Sequence, residues 1–282
     1  MKRLVVTTST SCLDYVDHNY DIRTIRIKID INGTLKEDGT EIKAEDFYKM
    51  MDENKHLVPK TSQPSIGELV EMFEGYAEEG YDEIIVTTIS SKLSGTFNGI
   101  CKAAEILEDK IKIHVYDTKT VCFNEGFFAL TAARMIEEGK PTDEILKQLD
   151  FMRDHNTILF AVDSLECLVK NGRLSGAAGF IGTFLKIKPL LQVVADGSIQ
   201  AIDKIRTTKK ALEVVSEKIK DYVQGHNYIA TIVYTGDSLK SYFVDVLNEK
   251  AGLSGLDEHP CSPVVGCHVG SQAIGIGAFL LD

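Results

Sequence analysis

The chain has 282 residues, of which 44% are hydrophobic and 26% are charged. That length and composition predict a folded protein of two domains and exclude disorder as a description of the whole chain. The formal net charge is −11, and an acidic surface repels phosphate backbones, so we expect no general nucleic-acid binding. One region concentrates basic residues, with a charge pattern more typical of a solvated helix start than of a functional patch; it contains Lys204, Arg206, Lys209 and Lys210.

Targeting segments and metal sites find little support in the sequence. Residues 1–11 hold a short apolar run before a run of hydroxyl residues, which predicts a first strand rather than a signal peptide. No apolar run approaches the roughly 20 residues that span a bilayer. The six cysteines include no CxxC pair and no accompanying histidine pair, so they favour small core residues in a reducing compartment. We therefore expect a cytoplasmic protein with no metal and no stable membrane insertion.

Strand and helix patterns alternate through residues 1–156. The alternation predicts an N-terminal α/β domain whose sheet is mainly parallel and covered by helices on both faces. Asn32-Gly33 is a turn signal, while Ser62 and Pro64 are read as the entry to the second helix. The predicted strands lie at 4–7, 24–31, 83–88 and 111–116, and the predicted helices at 45–53, 65–79, 96–107, 127–138 and 142–156.

The order of elements changes in residues 157–282. Asp196-Gly197 predicts a hairpin turn between two strands, and the region as a whole predicts a C-terminal α+β domain with an antiparallel sheet. Strands are expected at 157–162, 190–194, 198–205, 229–235, 264–268 and 273–278. Helices are expected at 164–170, 179–187, 208–223 and 239–250.

Two hydroxyl-rich turns each precede a predicted helix. The first contains Thr61 and Ser62, and the second is Ser94-Gly95-Thr96. Free N–H groups at helix starts favour an anion, and Gly95 would let the backbone approach a ligand closely. In an open α/β sheet such turns meet at the carboxyl ends of the strands, where ligands usually bind. The alternative is that these hydroxyls only cap helices, and the two interpretations stay equally weighted.

An enzymatic function is the alternative to ligand binding. Ser94 would be the nucleophile and His268 the base of a hydrolase or transferase that acts on a small carboxylate. Ser94 does not stand in a GxSxG motif, and no carboxylate is evident to orient the histidine. A lone His268 in a predicted apolar strand is more often a core residue, but near the hydroxyl turns it would donate a hydrogen bond to a carboxylate. The glycine pattern lacks the GK[ST] ending of a phosphate loop, so nucleotide binding is not indicated.

The segment 179–187 is apolar almost all round. Composition favours a buried core helix; the alternative is that its side chains line a tunnel for an alkyl chain. Arg173 follows Asn171-Gly172 on a predicted loop, where it could contact a partner or an anion. The residues that would line the tunnel are Phe180, Ile181, Phe184 and Leu185.

Four blocks of the sequence, spread along nearly the whole chain, resemble the DegV family of fatty-acid-binding subunits of the bacterial fatty acid kinase system. They are KTSQPS at 60–65, SSKLSGT at 90–96, 163–189 with its NGRLS and IKP elements, and 266–275. The chain departs from the family at Thr7-Thr8, where an acidic residue is usual, at Cys267 in place of threonine, and at Ser271-Gln272 in place of Pro-Gly. We expect the first departure to alter packing around the head group and the departures near His268 to reshape the pocket.

The resemblance implies two α/β-type domains, divided near 156/157, that enclose a long-chain fatty acid. It implies that a separate kinase, supplying ATP and magnesium, phosphorylates the bound carboxylate. The chain would then need no cofactor and would not itself be an enzyme. Arg173 and Arg206 match basic positions associated with the kinase or with phosphoryl transfer. The head-group residues implied are Thr61, Ser62, Ser94, Gly95, Thr96 and His268.

A third interpretation is a regulatory protein associated with DNA. It has the least support, because the chain is acidic.

Overall fold

A computed structural model describes residues 2–54, 56–176 and 188–282. Its strands are β1 Arg3–Thr8, β2 Ile22–Ile25, β3 Lys28–Ile31, β4 Thr34–Glu37, β5 Lys60–Ser62, β6 Glu83–Thr88, β7 Lys112–Asp117, β8 Asn156–Val162, β9 Lys188–Val193, β10 Ile199–Ile205, β11 Tyr228–Tyr234, β12 Asp257–Pro260 and β13 Ala273–Leu280. Its α-helices are α1 Ala44–Glu53, α2 Ile66–Glu78, α3 Thr96–Ile106, α4 Cys122–Glu137, α5 Thr142–Asp154, α6 Glu166–Lys170, α7 Thr208–Val223, α8 Lys240–Val246 and α9 Pro263–Val269. Single helical turns occur at Ser9–Ser11, Leu13–Tyr15, Asp237–Leu239 and Leu247–Ala251.

A four-stranded parallel sheet with the order β2-β1-β6-β7 forms the core of the N-terminal half. Its side chains alternate between the faces. Leu4 and Ile84 pack with α2 and α3 on one face, whereas Val5 and Ile85 pack with α4 and α5 on the other. Both faces are therefore buried, which explains the continuous apolar run of β6. The predicted parallel sheet covered on both sides is confirmed.

A six-stranded sheet with the order β10-β9-β8-β13-β11-β12 forms the C-terminal half. Its pairs are antiparallel except for β11 and β12. Leu159 and Ala161 of β8 point to the face that α7 and α8 cover, while Ile158 and Phe160 point to the opposite face, towards the first half. The predicted antiparallel sheet and its Asp196-Gly197 hairpin are confirmed.

A small antiparallel sheet, β4-β3-β5, lies outside these two sheets. The predicted strand at 24–31 is instead divided into β2 and β3, which belong to different sheets. Thr61 and Ser62 lie in β5, paired with β3, so the prediction that they form a turn is wrong. Three residues are too short a strand to show a periodic pattern.

The N-cap of helix α2 lies three residues later than the sequence suggests, although the predicted start at residue 65 is within one residue of the observed start at Ile66. Ser65, not Ser62, is its N-cap: its side chain accepts from the backbone N–H of Glu68, and the Glu68 carboxylate accepts from the backbone N–H of Ser65. This reciprocal pair is a capping box, in which two otherwise unpaired N–H groups are satisfied. Pro64 therefore precedes the cap and is not a residue of the first turn.

The stretch predicted as a strand at 264–268 is a helix, α9. Pro263 is its first residue, Ser262 is its N-cap, and Gly270 follows its end with a φ of 86°. A proline at the first position and a glycine just past the last are ordinary helix boundaries. The valines between them look like a strand by composition, and tertiary packing overrides that preference.

Helix α4 connects the two large sheets. It covers one face of the parallel sheet, and its Phe127 and Phe128 rings lie 4.9 and 5.7 Å from the Phe279 ring of β13. It also fits closely against β13 at Gly277, where a Cβ atom would lie 1.9 Å from Oδ1 of Asn124. The two halves therefore share one packed interface through α4.

We predict that Phe279→Ala lowers the free energy of unfolding by about 3–5 kcal/mol, because it removes a buried ring and leaves a cavity where α4 meets β13. Chemical denaturation would measure the change. Leu281→Ala is the matched control, since that side chain is 49% exposed and should change stability by less than about 0.5 kcal/mol. A loss below about 1 kcal/mol for Phe279→Ala would contradict this account of the interface.

Candidate functional site

A cavity of about 310 Å³ lies between the parallel sheet and the inner face of the antiparallel sheet. The first half contributes residues that follow the carboxyl ends of its strands, among them Thr10 after β1 and Ser94 after β6. The second half contributes Ile158 and Phe160 of β8 and the helix α9. The carboxyl edge of a parallel sheet is where ligands usually bind, and here the other sheet closes that edge.

One end of the cavity is polar. Five of the residues that the sequence singles out line this end, and they come from four separate parts of the chain: Thr61, Ser62, Ser94, Arg173 and His268. Strand β5 supplies the first two, the turn after β6 supplies the third, the loop after α6 supplies the arginine, and α9 supplies the histidine. The fold therefore brings together hydroxyl, imidazole and guanidinium groups, all of which can donate hydrogen bonds to a carboxylate.

His268 faces Thr61 across the polar end. Its Nε2 lies 3.1 Å from Oγ1 of Thr61, and its buried Nδ1 has no partner among the described residues. Burial, together with the neighbouring positive charge of Arg173, lowers the pKa of His268 to about 4. The ring is therefore neutral at pH 7 and carries a single N–H, so it can act as a hydrogen-bond donor but not as a cation.

The hydroxyl of Ser94 is not activated as a nucleophile. Its Oγ lies 2.8 Å from Oγ1 of Thr96 and also accepts from the backbone N–H of Thr96. No hydrogen bond joins Ser94 to His268 in the described part of the chain, and no carboxylate there orients the ring. A nucleophile needs a base within hydrogen-bond reach, and the base in turn needs an orienting group. The geometry does not support the hydrolase alternative.

Arg173 is held at the polar end by the backbone. Its Nε donates to the carbonyl of Leu93 at 3.1 Å, and its Nη1 donates to the carbonyl of Asn171. Asn171 donates in turn to the carbonyl of Cys267 at 2.9 Å, which ties this loop to α9. No carboxylate of the described residues forms an ion pair with Arg173. A fixed positive charge therefore lies beside the hydroxyl groups without a protein counter-ion in that part of the chain.

The other predicted residues lie elsewhere. Gly95 is the N-cap of α3, and a Cβ atom there would lie 2.6 Å from Oε1 of Gln63. Gln63 itself lines the cavity, although the sequence reasoning did not select it.

Arg206 is exposed and does not line the cavity. It follows β10, about 20 Å along that strand from the cavity-lining Ile199. The predicted tunnel residues Phe180, Ile181, Phe184 and Leu185 lie outside the described residues.

Away from the polar end, the cavity wall is apolar and mostly aliphatic, apart from one hydroxyl group and two thiols. Thr10, Cys122 and Cys261 line it together. The two sulfur atoms are 3.8 Å apart, and the buried Cys12 lies behind them with its Sγ 3.3 Å from the backbone N of Ser262. The cluster cannot be predicted from the spacing of cysteines in the sequence, since its cysteines are separated by more than 100 positions. Burial raises the pKa of the Cys12 thiol, so these thiols are protonated and unreactive at neutral pH.

Two buried acids flank the cavity. Burial raises the pKa of Glu125 to about 8 and that of Asp38 to about 7, against the opposing hydrogen bonds that each accepts. The hydroxyl oxygens of Thr10 and Thr8 lie 2.6 and 2.5 Å from the carboxyl oxygens of Glu125, within hydrogen-bond distance. The backbone N–H of Val264, at the start of α9, donates to Asp38 at 3.3 Å. Glu125 is therefore mainly neutral at pH 7, and Asp38 titrates near that pH.

Within 2–54, 56–176 and 188–282, no group of three or more histidine, cysteine or acidic side chains is arranged to hold a metal ion. No helix in the same ranges is both long and apolar enough to cross a bilayer.

The fold and the site define a class of protein: a mixed α/β chain in which a parallel and an antiparallel sheet close around an apolar ligand cavity with one polar end. The model of the DegV family of uncharacterised proteins matches residues 2–280. A DegV domain-containing protein of Staphylococcus aureus (strain COL) is 34% identical over 98% of this chain and 97% of its own length. The chain belongs to the DegV family.

Solved structures of the family share the whole fold. A DegV family protein from Thermus thermophilus superposes with a TM-score of 0.86 and 29% identity, and 100% of each chain is covered. DegV of Bacillus subtilis superposes with a TM-score of 0.86 and 30% identity, and 99% of each chain is covered. The first structure is described as showing fatty acid binding, and the second protein as a fatty acid binding protein.

We predict that the contribution of Glu125 to stability falls as the pH rises from 4.5 to about 8, because Glu125 is protonated in the folded protein but ionises near its ordinary pKa of 4.5 when unfolded. The unfolded state binds fewer protons over that range, so the free energy of unfolding decreases with pH. Glu125→Gln, a neutral isostere, should flatten this decrease by on the order of a few kcal/mol. Urea denaturation at several pH values would measure it.

Glu71→Gln is the matched control for this experiment, because it removes one carboxyl from the exposed face of α2. It should leave the pH dependence as in the wild type. The interpretation of Glu125 fails if the two variants show the same slope.

Proposed function

We propose that this protein binds a long-chain fatty acid between its two halves, residues 1–156 and 157–282. The tail occupies the apolar cavity, and the carboxylate lies at the polar end. The observation that carries the proposal is the guanidinium of Arg173, which forms no ion pair with any described carboxylate and lies beside the hydroxyls of Thr61, Ser62 and Ser94 at one end of a largely apolar cavity. Such an arrangement complements a molecule that has one anionic end and a long apolar remainder.

The energetics of this arrangement favour a fatty acid over a small carboxylate. Burial of roughly 15 methylenes at about 0.8 kcal/mol each contributes on the order of 10 kcal/mol before the ordering of the chain is subtracted. A buried carboxylate is costly unless it is paired and hydrogen-bonded. Arg173 supplies the charge, while the hydroxyls and the neutral imidazole of His268 supply donors. A small carboxylate would gain the second contribution but not the first.

The relatives support the same ligand. The Thermus and Bacillus proteins, which are 29% and 30% identical and superpose over nearly the whole chain, are described as binding fatty acid. Gly95 and Thr96 take a supporting part in this proposal: Thr96 holds the Ser94 hydroxyl in place, and Gly95 leaves room for the Gln63 side chain.

The second part of the proposal is presentation to a kinase. The chain holds the carboxylate while a separate fatty acid kinase, with its own ATP and magnesium, phosphorylates it to an acyl phosphate. The polar end lacks an activated nucleophile in the described residues, which is consistent with a presenting role. Arg206 is exposed and remote from the cavity, so we assign it to contact with the kinase. Arg173, at the cavity, is assigned to the carboxylate.

We predict that the purified protein carries a long-chain fatty acid at near one-to-one stoichiometry. Denaturation, extraction with organic solvent and mass spectrometry would identify it. After removal of lipid, Ser94→Ala should weaken binding of the same fatty acid by about tenfold, because one hydrogen bond to a charged group is lost. No bound lipid and no uptake of added fatty acid would refute the proposed ligand.

Two controls separate loss of the head-group contact from general damage. Ser91→Ala removes a hydroxyl nearby that donates to Asp117 and does not line the cavity, so it should leave fatty acid affinity unchanged. The fatty alcohol with the same tail lacks the carboxylate, so Ser94→Ala should weaken its binding by less than about twofold.

We predict that Arg206→Ala lowers the rate of acyl phosphate formation by the kinase by about tenfold, because it removes a charged contact with the partner. The fatty acid Kd should not change. Lys218→Ala, at another exposed position of the same half, is the matched control and should change neither quantity. An unchanged phosphorylation rate for Arg206→Ala, at kinase concentrations below saturation, would remove Arg206 from the kinase contact.

A further inference from the structure

The cavity has a second polar feature, away from the carboxylate end. Thr8, Thr10 and Glu125 form a ring of three contacts: Thr8 Oγ1 lies 2.5 Å from Oε1 of Glu125, Thr10 Oγ1 lies 2.6 Å from Oε2, and the two hydroxyl oxygens are 2.6 Å apart. All three residues are buried. Thr10 is the member that lines the cavity.

The ring is linked to the start of α9, whereas the polar end lies beside the last turn of that helix. His268 lies near the end of α9, while Cys261, which lines the cavity, precedes its start. Cys12 connects the ring to that start: its thiol donates to the carbonyl of Thr10 at 3.5 Å and accepts from the backbone N–H of Ser262 at 3.3 Å. A seven-residue helix is about 10 Å long, so the ring lies beside the middle or far part of a bound tail.

The number of protons in the ring shows whether the Glu125 carboxyl is ionised or neutral. Three oxygen–oxygen contacts need three protons, and the two threonine hydroxyls supply one each. An ionised Glu125 would leave one contact without a proton. A protonated Glu125 supplies the third, after which each group donates once and accepts once around the closed ring. The proton count and the complete burial of the acid therefore agree on a neutral carboxyl group.

A closed ring still leaves hydrogen-bonding capacity at the cavity surface. A hydroxyl oxygen can accept two hydrogen bonds, and Thr10 uses one of these inside the ring. The thiols of Cys122 and Cys261, on the same part of the wall, add weak donors and acceptors. A saturated tail would pass this surface without leaving any ring member unpaired. A tail with its own hydroxyl would find a partner there.

We propose that Thr10 forms a second subsite, which takes a hydroxyl group carried on the tail of a long-chain hydroxy fatty acid. The inference rests on the proposed function, since it assigns the tail to this cavity. A hydroxyl that leaves water for an apolar cavity loses free energy unless it is hydrogen-bonded. Thr10 removes that penalty at one distance from the carboxylate, so the subsite selects the position of the hydroxyl along the tail.

The test uses the full-length, delipidated protein with stearate and a series of hydroxystearates that differ in hydroxyl position, each titrated for Kd. In the wild type, one position away from the carboxylate should bind within about twofold of stearate, and the others about tenfold or more weaker. Thr10→Val, which is nearly isosteric, should weaken the favoured isomer about tenfold relative to stearate. Thr8→Val disrupts the same ring away from the cavity wall and should leave that ratio within about twofold of the wild type.

The outcomes separate the two proposals. If stearate does not bind to the wild type, the proposed function itself fails. If stearate binds but all hydroxystearates are equally disfavoured, the subsite is refuted while the proposed function stands. A loss of selectivity in Thr8→Val equal to that in Thr10→Val also refutes it, because the effect would then come from the ring's structure and not from contact with the ligand. The positional series in the wild type tests the subsite even if a variant does not fold.

Discussion

The cavity depends on the way the start of α9 is held by the N-terminal half. Asp38 accepts a hydrogen bond from the backbone N–H of Val264, and Tyr48 donates to the carbonyls of Cys261 and Ser262 at 2.8 and 3.1 Å. Farther along, a Cβ atom at Gly266 would lie 2.4 Å from the Tyr48 ring, so glycine lets α9 lie directly on α1. These contacts fix one wall of the cavity and, through it, the position of His268.

Charge inside this cavity is restricted to the place where a ligand carboxylate would need it. The chain as a whole has a net charge of −11, but Glu125 behind the wall is protonated and His268 is neutral at pH 7. Among the described residues that line the cavity, Arg173 therefore carries the one full charge. A ligand anion meets a single cation in a low-dielectric space, where the attraction is much stronger than at the surface.

Sequence reasoning succeeded where a periodic pattern is long and failed where a contact is distant. The helix predicted at 208–223 coincides with α7, and the strand predicted at 83–88 coincides with β6. The α9 error was avoidable, because Pro263 and Gly270 stand at its two boundaries. The ring of Thr10 and Glu125 was not predictable from periodicity, since its members are 115 positions apart and each is ordinary when taken alone. The motifs at 60–65 and 90–96 and the loop of Arg173 were selected from the sequence alone, and the fold brings Thr61, Ser94 and Arg173 to one cavity; that they bind a ligand stays a prediction.

The close fit between Gly277 and Asn124 has a consequence for the evolution of this chain. Position 277 has no space for a side chain because Asn124 occupies it, and Asn124 is held there by hydrogen bonds from its Nδ2 to Asn156 and to the carbonyl of Thr157. A substitution at either position alone is therefore disfavoured. A lineage that acquires a larger residue on the strand needs a smaller one on the helix, so the two sites are coupled and substitutions there should arise in compensating pairs.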